Sequence, residues 1–251
     1  MLHSGLVSIT FRKLPPGEIV DLVKRAGLEG IEWGGDIHVP HGQSSAASEV
    51  RRMTEDAGLR VAAFGSYYRV GHEEPAPFEA VLETAAALGA PTIRVWAGKL
   101  GSEKADAAYR EQVTRESRRI ADLAAQAGVV VATEYHGGTL TDTAESAVSL
   151  LQAVGHDNLK TYWQPPTRMT PEDALETLRA VLPWLNNIHA FWWVAGERRP
   201  LAEGAATWQR YLREARRAPG ERYVMLEFVR DDSPEAFLRD AEALRDVIRN
   251  A

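Results

Sequence analysis

The sequence predicts a single (β/α)8 TIM barrel, one domain over residues 1–251, and three observations carry that prediction. Short runs rich in β-branched and aromatic residues alternate eight times with longer stretches of helical spacing, the pattern of a parallel sheet with crossover helices. An Ala-Gly pair leading into a strand recurs as RAGLEGIEW, DAGLRVAAF and QAGVVVATE, so a βα unit repeats. The 251 residues suit eight such units, and no Pro/Gly/Ser-rich linker or low-complexity tract divides them. An open doubly wound sheet is the rival, but no G-x-G-x-x-G turn follows the first strand.

The first strand is GLVSITF (5–11), followed by a helix whose Ile19, Leu22, Val23 and Ala26 form an apolar stripe that ends at Gly27. GIEWGG (30–35) is the second strand, and a helix closing at Gly58 leads to the third, RVAAFGSYY (60–68). Gly89 ends the next helix before TIRVWAG (92–98). Ile120, Leu123, Ala124 and Ala127 mark the helix that stops at Gly128, before VVVATEYH (129–136). LKTYWQ (159–164) is the sixth strand, stopped by Pro165 and Pro166, which cannot donate to a ladder. NNIHAFWW (186–193) and YVMLEFV (223–229) complete the set.

Composition narrows the function classes. Hydrophobic residues are 45% and charged residues 25%, ordinary for a compact water-soluble chain. The net charge of −6 opposes a phosphodiester backbone, so nucleic acid is not an expected partner. With no cysteine there are no disulfides, thiolate metal sites or thiol nucleophiles. No apolar run reaches the roughly 20 residues of a membrane span, and the N-terminus lacks a signal-peptide pattern. The expected setting is cytoplasmic, away from a membrane.

Barrels of this kind keep functional groups at the C-terminal ends of their strands, with alternate residues pointing inward. Parity sends Val129, Val131 and Thr133 to the helices and Val130, Ala132, Glu134 and His136 inward. It puts Leu159, Thr161 and Trp163 outside and Gln164 inside, Ile188 and Ala190 outside and His189 inside. In the eighth strand Val224, Leu226 and Phe228 face the helices and Glu227 faces in. Four consecutive strand tips thus deliver Glu134, Gln164, His189 and Glu227, a donor set suited to a divalent ion, Mn²⁺ first, with Mg²⁺, Co²⁺ or Zn²⁺ also compatible. The alternative is that Arg or backbone groups hold the two carboxylates, that His189 is a core histidine, and that Gln164 caps a turn.

These residues also carry a resemblance. GLEGIEW, TEYHGG, YWQPP, NIHAF and LEFVRDDSPE together resemble the xylose isomerase-like sugar isomerase and epimerase superfamily over essentially the whole chain. The resemblance implies metal ligands at Glu134, Gln164, His189 and Glu227, with Gln164 where relatives usually carry Asp and Trp192 where an Asp often follows the His. It implies proton transfer next to a carbonyl through a metal-stabilised enediolate, with Glu134 and Glu227 as the catalytic pair. The leading expectation is a metal-dependent isomerase or epimerase of a sugar or polyol. The alternatives are a dehydratase or lyase of keto-inositols or oxidised glycosides, by the same enolate chemistry, and a barrel that binds sugar without turnover.

Around this set, His136 reads as a partner for a substrate hydroxyl or as a turn histidine. Glu32 and Arg94 read as an ion pair across the barrel or as a grip on sugar hydroxyls. Trp96, Phe191 and Trp193 form an apolar wall for a sugar ring, while Trp33, Trp163 and Trp192 pack under helices. Asp36, His38, His41 and His72 invite comparison with zinc-dependent apurinic-site endonucleases, but Pro165, Pro166 and Thr167 stand where those enzymes need ligands. His38 and His41 fit the rim better. Arg198 and Arg199 fall where barrels often bind phosphate, or are a solvated pair. Trp-rich edges at the barrel mouth suit a homodimer.

Overall fold

The computed structural model describes residues 1–72 and 77–251. Among these residues eight parallel strands close into a barrel: β1 (Leu2–Val7), β2 (Gly30–Gly34), β3 (Arg60–Arg69), β4 (Thr92–Trp96), β5 (Val130–Thr133), β6 (Leu159–Trp163), β7 (Leu185–Ala190) and β10 (Arg222–Leu226). Between β7 and β10 along the chain lies an antiparallel ribbon, β8 (Trp193–Val194) with β9 (Glu197–Arg198). β10 closes the ring on β1 in the register Leu2↔Arg222 to Leu6↔Leu226. Around the barrel run α1 (Pro16–Ala26), α2 (Ser44–Asp56), α3 (Phe78–Leu88), α4 (Ala107–Gln126), α5 (Ala144–Val154), α6 (Pro171–Val181), α7 (Ala205–Ala215) and α8 (Pro234–Arg249). No helix among the described residues is long and apolar enough to cross a membrane.

Local chemistry sets the helix ends. Asp106, Thr143, Thr170 and Ser233 accept backbone N–H bonds from the first turns of α4, α5, α6 and α8. Gly27 and Gly89 end α1 and α3 at φ 66° and 71°, a region that side chains with a Cβ avoid.

Alternation along the strands divides the apolar side chains between two cores. Val131, Leu159, Trp163, Ile188, Val224 and Leu226 join the large core between sheet and helices. Ala132, Tyr162 and Met225 belong to a smaller cluster inside the barrel, against which Tyr67 and Phe228 pack. The indoles of Trp33 and Trp163 lie on the helix side and donate to Thr54 and Thr177 at 3.2 and 3.0 Å.

Three expectations are corrected. The first strand occupies Leu2–Val7, and Ser8–Phe11 is a turn of 3-10 helix. The apolar runs continue beyond the ladders: β5, β6, β7 and β10 stop at Thr133, Trp163, Ala190 and Leu226, and Trp193 belongs to the ribbon. Phe228 leaves the helix side because φ of 54° ends the strand alternation, and its ring turns toward the barrel interior.

Candidate metal centre and substrate pocket

The groups that matter stand one residue beyond the regular ladder and are still tied to it. The Glu134 N–H donates to Val95 O at 2.9 Å, and the Glu227 N–H to Ala190 O at 3.0 Å. The Glu134 carbonyl also accepts from Thr141 Oγ1. Both carboxylates therefore hang from fixed backbone, a requirement for a preorganised site.

Gln164, His189, Glu134 and Glu227 converge. His189 Nδ1 lies 3.1 Å from Gln164 Oε1, 3.5 Å from Glu227 Oε2 and 3.7 Å from Glu134 Oε1. His189, Glu134 and Glu227 are buried, and one ligand atom from each falls within 4.8 Å of the others. Behind the imidazole, Nε2 faces Glu32 Oε2 at 3.5 Å, and among the described residues neither buried atom has a closer hydrogen-bond partner. Tyr162 sets the ring plane by an edge-on contact, centroids 5.1 Å apart.

Arg94 joins the two layers. Its Nε donates to Glu32 Oε1 at 2.6 Å and its Nη1 to Glu134 Oε2. Trp96 Nε1 donates to that same Glu134 oxygen at 2.5 Å. Glu134 Oε2 is thus pinned while Oε1 faces His189. Space for the guanidinium comes from Gly65, where a Cβ would stand 2.6 Å from Arg94 Nη2 and 2.9 Å from Glu32 Oε1.

Electrostatics follows from this packing. Burial pushes the Glu32 carboxyl up, but Arg94 and His189 overcome it and hold the group down at about 2. Burial also raises Glu134, and Arg94 and His189 again prevail, leaving it below the ordinary carboxylate range. Burial lowers His189, yet Glu227 and Glu32 carry it up to about 10. The imidazolium proton on Nδ1 would point at three oxygens, the position of a small cation. Three buried carboxylates against one guanidinium leave two negative charges, which one divalent ion neutralises. The donor set fits a metal: Glu134 Oε1, Gln164 Oε1, His189 Nδ1 and one Glu227 oxygen would hold it, with Glu32 orienting the imidazole from behind.

Above this cluster opens a cavity of about 590 Å³. Arg94, Trp96, Glu134, His136, Gln164, Phe191, Trp193 and Glu227 all line it. The His136 ring stacks on Trp96, centroids 4.7 Å apart and planes 21° apart, and Phe191 and Trp193 tilt against each other at 5.6 Å. Glu32 does not reach the cavity: its side chain is fully enclosed beneath His189 and Arg94.

Other sequence candidates lie apart from the cluster. His38 Nδ1 is 2.9 Å from Ser8 Oγ, His41 Nε2 is 2.7 Å from Ser66 O, and His72 Nε2 is 2.9 Å from Tyr109 Oη. Asp36 pairs with Arg12 on the cavity rim. Among the described residues these side chains form no metal-ligating group, and only Glu134, His189 and Glu227 do so. Arg198 is engaged by Asp232 and Val229 O, and Arg199 by Glu203 at 3.0 Å, so acidic side chains occupy the phosphate candidates.

Sequence reasoning missed Tyr67 and Phe228 as lining residues. Both are aromatic residues at positive φ, 58° and 54°, a conformation costing of order 1–3 kcal/mol that the surrounding fold must sustain. A register shift between Gly65 and Arg69 brings the Tyr67 ring under Arg94, whose guanidinium carbon lies 4.9 Å from the ring centroid. Burial pushes the Tyr67 hydroxyl up to about 12. The signal in the sequence for Tyr67 is Gly65 two residues before it, which marks a break in a strand.

Comparison with known proteins bears on this site. The family described as xylose isomerase-like TIM barrel matches residues 20–247. A curated 3-dehydroshikimate dehydratase of Bacillus anthracis is 29% identical over 202 residues, covering 74% of this chain and 70% of the relative. Among solved structures, the probable 3-DHS dehydratase AsbF of Bacillus anthracis superposes with a TM-score of 0.78 at 22% identity, covering 98% of this chain and 99% of that one. A xylose isomerase-like TIM barrel protein from Mycobacterium smegmatis, in complex with magnesium, gives 0.76 at 18% identity and covers 99% and 97%. D-Psicose 3-epimerase of Clostridium cellulolyticum H10, with D-tagatose, gives 0.72 at 16% identity and covers 98% of each chain. At these identities the structural likenesses speak to the fold alone.

Proposed function

The chain belongs to the xylose isomerase-like TIM barrel family, and from that premise we propose that it is a divalent-metal-dependent lyase of the dehydratase type. It takes a proton from the carbon next to a ketone and expels an oxygen substituent from the following carbon. The family binds small sugar-like molecules, and the substrate proposed here is a hydroxylated cyclic ketone.

The observation that carries this reading is the inequality of the two glutamates. Glu134 Oε2 is occupied by Arg94 and Trp96, and its Oε1 faces the metal position. Among the described residues the Glu227 carboxylate has no closer partner than His189 Nδ1 at 3.5 Å, and it lines the cavity. Epimerisation, the leading expectation from sequence, needs a proton carrier on each face of one carbon. A single available carboxylate suits removal of one proton followed by loss of a leaving group. The curated dehydratase relative supports elimination as well.

When bound, a divalent ion supplies Lewis-acid stabilisation for negative charge building on the ketone oxygen. Glu227 takes the proton from carbon. The electron pair left behind forms the new C=C bond as the C–O bond to the leaving group breaks, and the proton taken up by Glu227 passes to the departing oxygen. Arg94 and Trp96 hold Glu134 still, and Phe191, Trp193 and the stacked Trp96–His136 pair exclude water from the apolar side of the ring. His136 donates Nδ1–H to Gly137 O at 2.7 Å, which leaves its Nε2 to accept from a hydroxyl of the substrate.

The test incubates Mn²⁺-loaded protein with 3-dehydroshikimate and with 2-keto-myo-inositol in D₂O. Loss of water with growth of a conjugated chromophore is the expected outcome, lowered about 10²–10⁴-fold in Glu227→Gln. Recovery of an epimer with deuterium at the carbon next to the ketone, and no loss of water, would establish epimerisation instead.

A further inference from the structure

The geometry points to a second binding chamber, beside the catalytic cavity, for an aromatic substituent carried by the substrate. This inference rests on the reading of the barrel mouth as the catalytic centre, and it narrows the substrate class from a free hydroxylated ketone to one bearing an O-linked aryl group.

A cavity of about 770 Å³ adjoins the first. The two share the wall made by residues 165–168, Phe191 and Trp193. A ligand seated over Glu227 therefore meets the second chamber by passing Trp193. On its far side the chamber is bounded by Met169, Trp192, Val194 and Tyr211. Met169 and Val194 are 44% and 48% exposed, among the few large apolar side chains the described residues leave in solvent. Apolar side chains at the mouth of a cavity gain by being covered.

Two polar features favour an ether-linked substituent, and the second of them favours a flat aryl group over an aliphatic tail. Trp193 Nε1 is buried with no hydrogen-bond partner among the described residues, and an indole N–H can only donate. An acceptor at the junction of the chambers, such as the oxygen linking ring and substituent, would satisfy it. Arg168 lies on the shared wall, and no ion pair or hydrogen bond to it is found among the described residues. A guanidinium there stacks on an aromatic face.

The wall is built to hold its shape. The ribbon β8–β9 turns through Ala195 and Gly196 at φ 52° and 84°, the two positive values that a tight hairpin of this twist requires. The Arg199 N–H bonds Trp192 O at 2.8 Å beneath it. Arg198, fastened to Val229 O and Asp232, sits over both the Trp193 and Phe228 rings at 5.6 and 5.0 Å.

Calorimetric titration of the full chain with 4-nitrophenyl β-D-glucopyranoside and methyl β-D-glucopyranoside tests the chamber, because neither probe carries the ketone needed for turnover. The aryl glucoside should bind about tenfold more tightly. Met169→Asp and Val194→Asp, at exposed positions that line only the second chamber, should each cut that advantage below about threefold and leave the methyl glucoside unchanged. Equal affinities for the two glucosides, no detectable binding of the aryl glucoside at millimolar concentration, or an advantage untouched by both substitutions would overturn the proposal. Titrations with and without Mn²⁺ separate it from the elimination reading. An aryl preference in both states supports the chamber even if no water is lost in the turnover assay, whereas elimination without aryl preference retires the chamber alone.

Discussion

Replacing Arg94 by Met removes the guanidinium that the fold places, with the His189 ring, among Glu32, Glu134 and Glu227 while keeping an apolar side chain of similar length. Arg94 is 1% exposed and donates to Glu32 Oε1 at 2.6 Å and to Glu134 Oε2. Two hydrogen bonds between buried charged groups contribute about 1.5–3 kcal/mol each, so the loss is about 3–6 kcal/mol, in line with about 3–5 for breaking a buried ion pair from one side. For a chain of this size that lowers Tm by about 6–24 °C. Thermal denaturation of the metal-free protein measures it. The source of the loss is separable: Arg94→Met with Glu32→Gln should recover part of it, since one of the stranded carboxylates becomes neutral. Addition of Mn²⁺ should raise Tm more in Arg94→Met than in the parent, because the more negative cluster gains more from a divalent ion. A variant melting within about 2 °C of the parent, or one indifferent to Glu32→Gln, would refute the view that Arg94 neutralises this cluster.

Two further substitutions probe the ion site itself. Gln164→Asp places a charge beside the ligands His189 and Glu134 and should tighten Mn²⁺ binding about tenfold while altering turnover; equal affinity by calorimetry would remove Gln164 from the ligand set. Glu32→Gln weakens the orientation of His189 from behind and should reduce Mn²⁺ affinity about 10–100-fold without touching any ligand atom. Unchanged affinity there would mean that packing alone holds the imidazole.

Much of the architecture was legible because it is local. A period of two along each strand and a glycine at several helix ends are written into consecutive residues, and they carried the barrel and the inward face of Glu134, Gln164, His189 and Glu227. Strand ends were less legible, since the apolar runs of the fifth to eighth strands continue into loops that line the cavity. Phe228 shows why: parity holds only while the backbone stays extended, and its φ of 54° ends the alternation.

The pairing of Arg94 with Glu32 was open in the sequence as one of two readings, but its second bond, to Glu134, was not. These contacts join residues 62 and 40 positions apart, and whether a guanidinium reaches one carboxylate or two depends on the space left by Gly65 on a third strand. That bond makes the two glutamates unequal. The sequence by itself determined which side chains reach the barrel mouth, because side-chain direction follows from neighbours along the chain. Only the tertiary structure decided which of them are already engaged there, because hydrogen bonds and ion pairs form between strands whose spacing and register are set by the closed barrel as a whole.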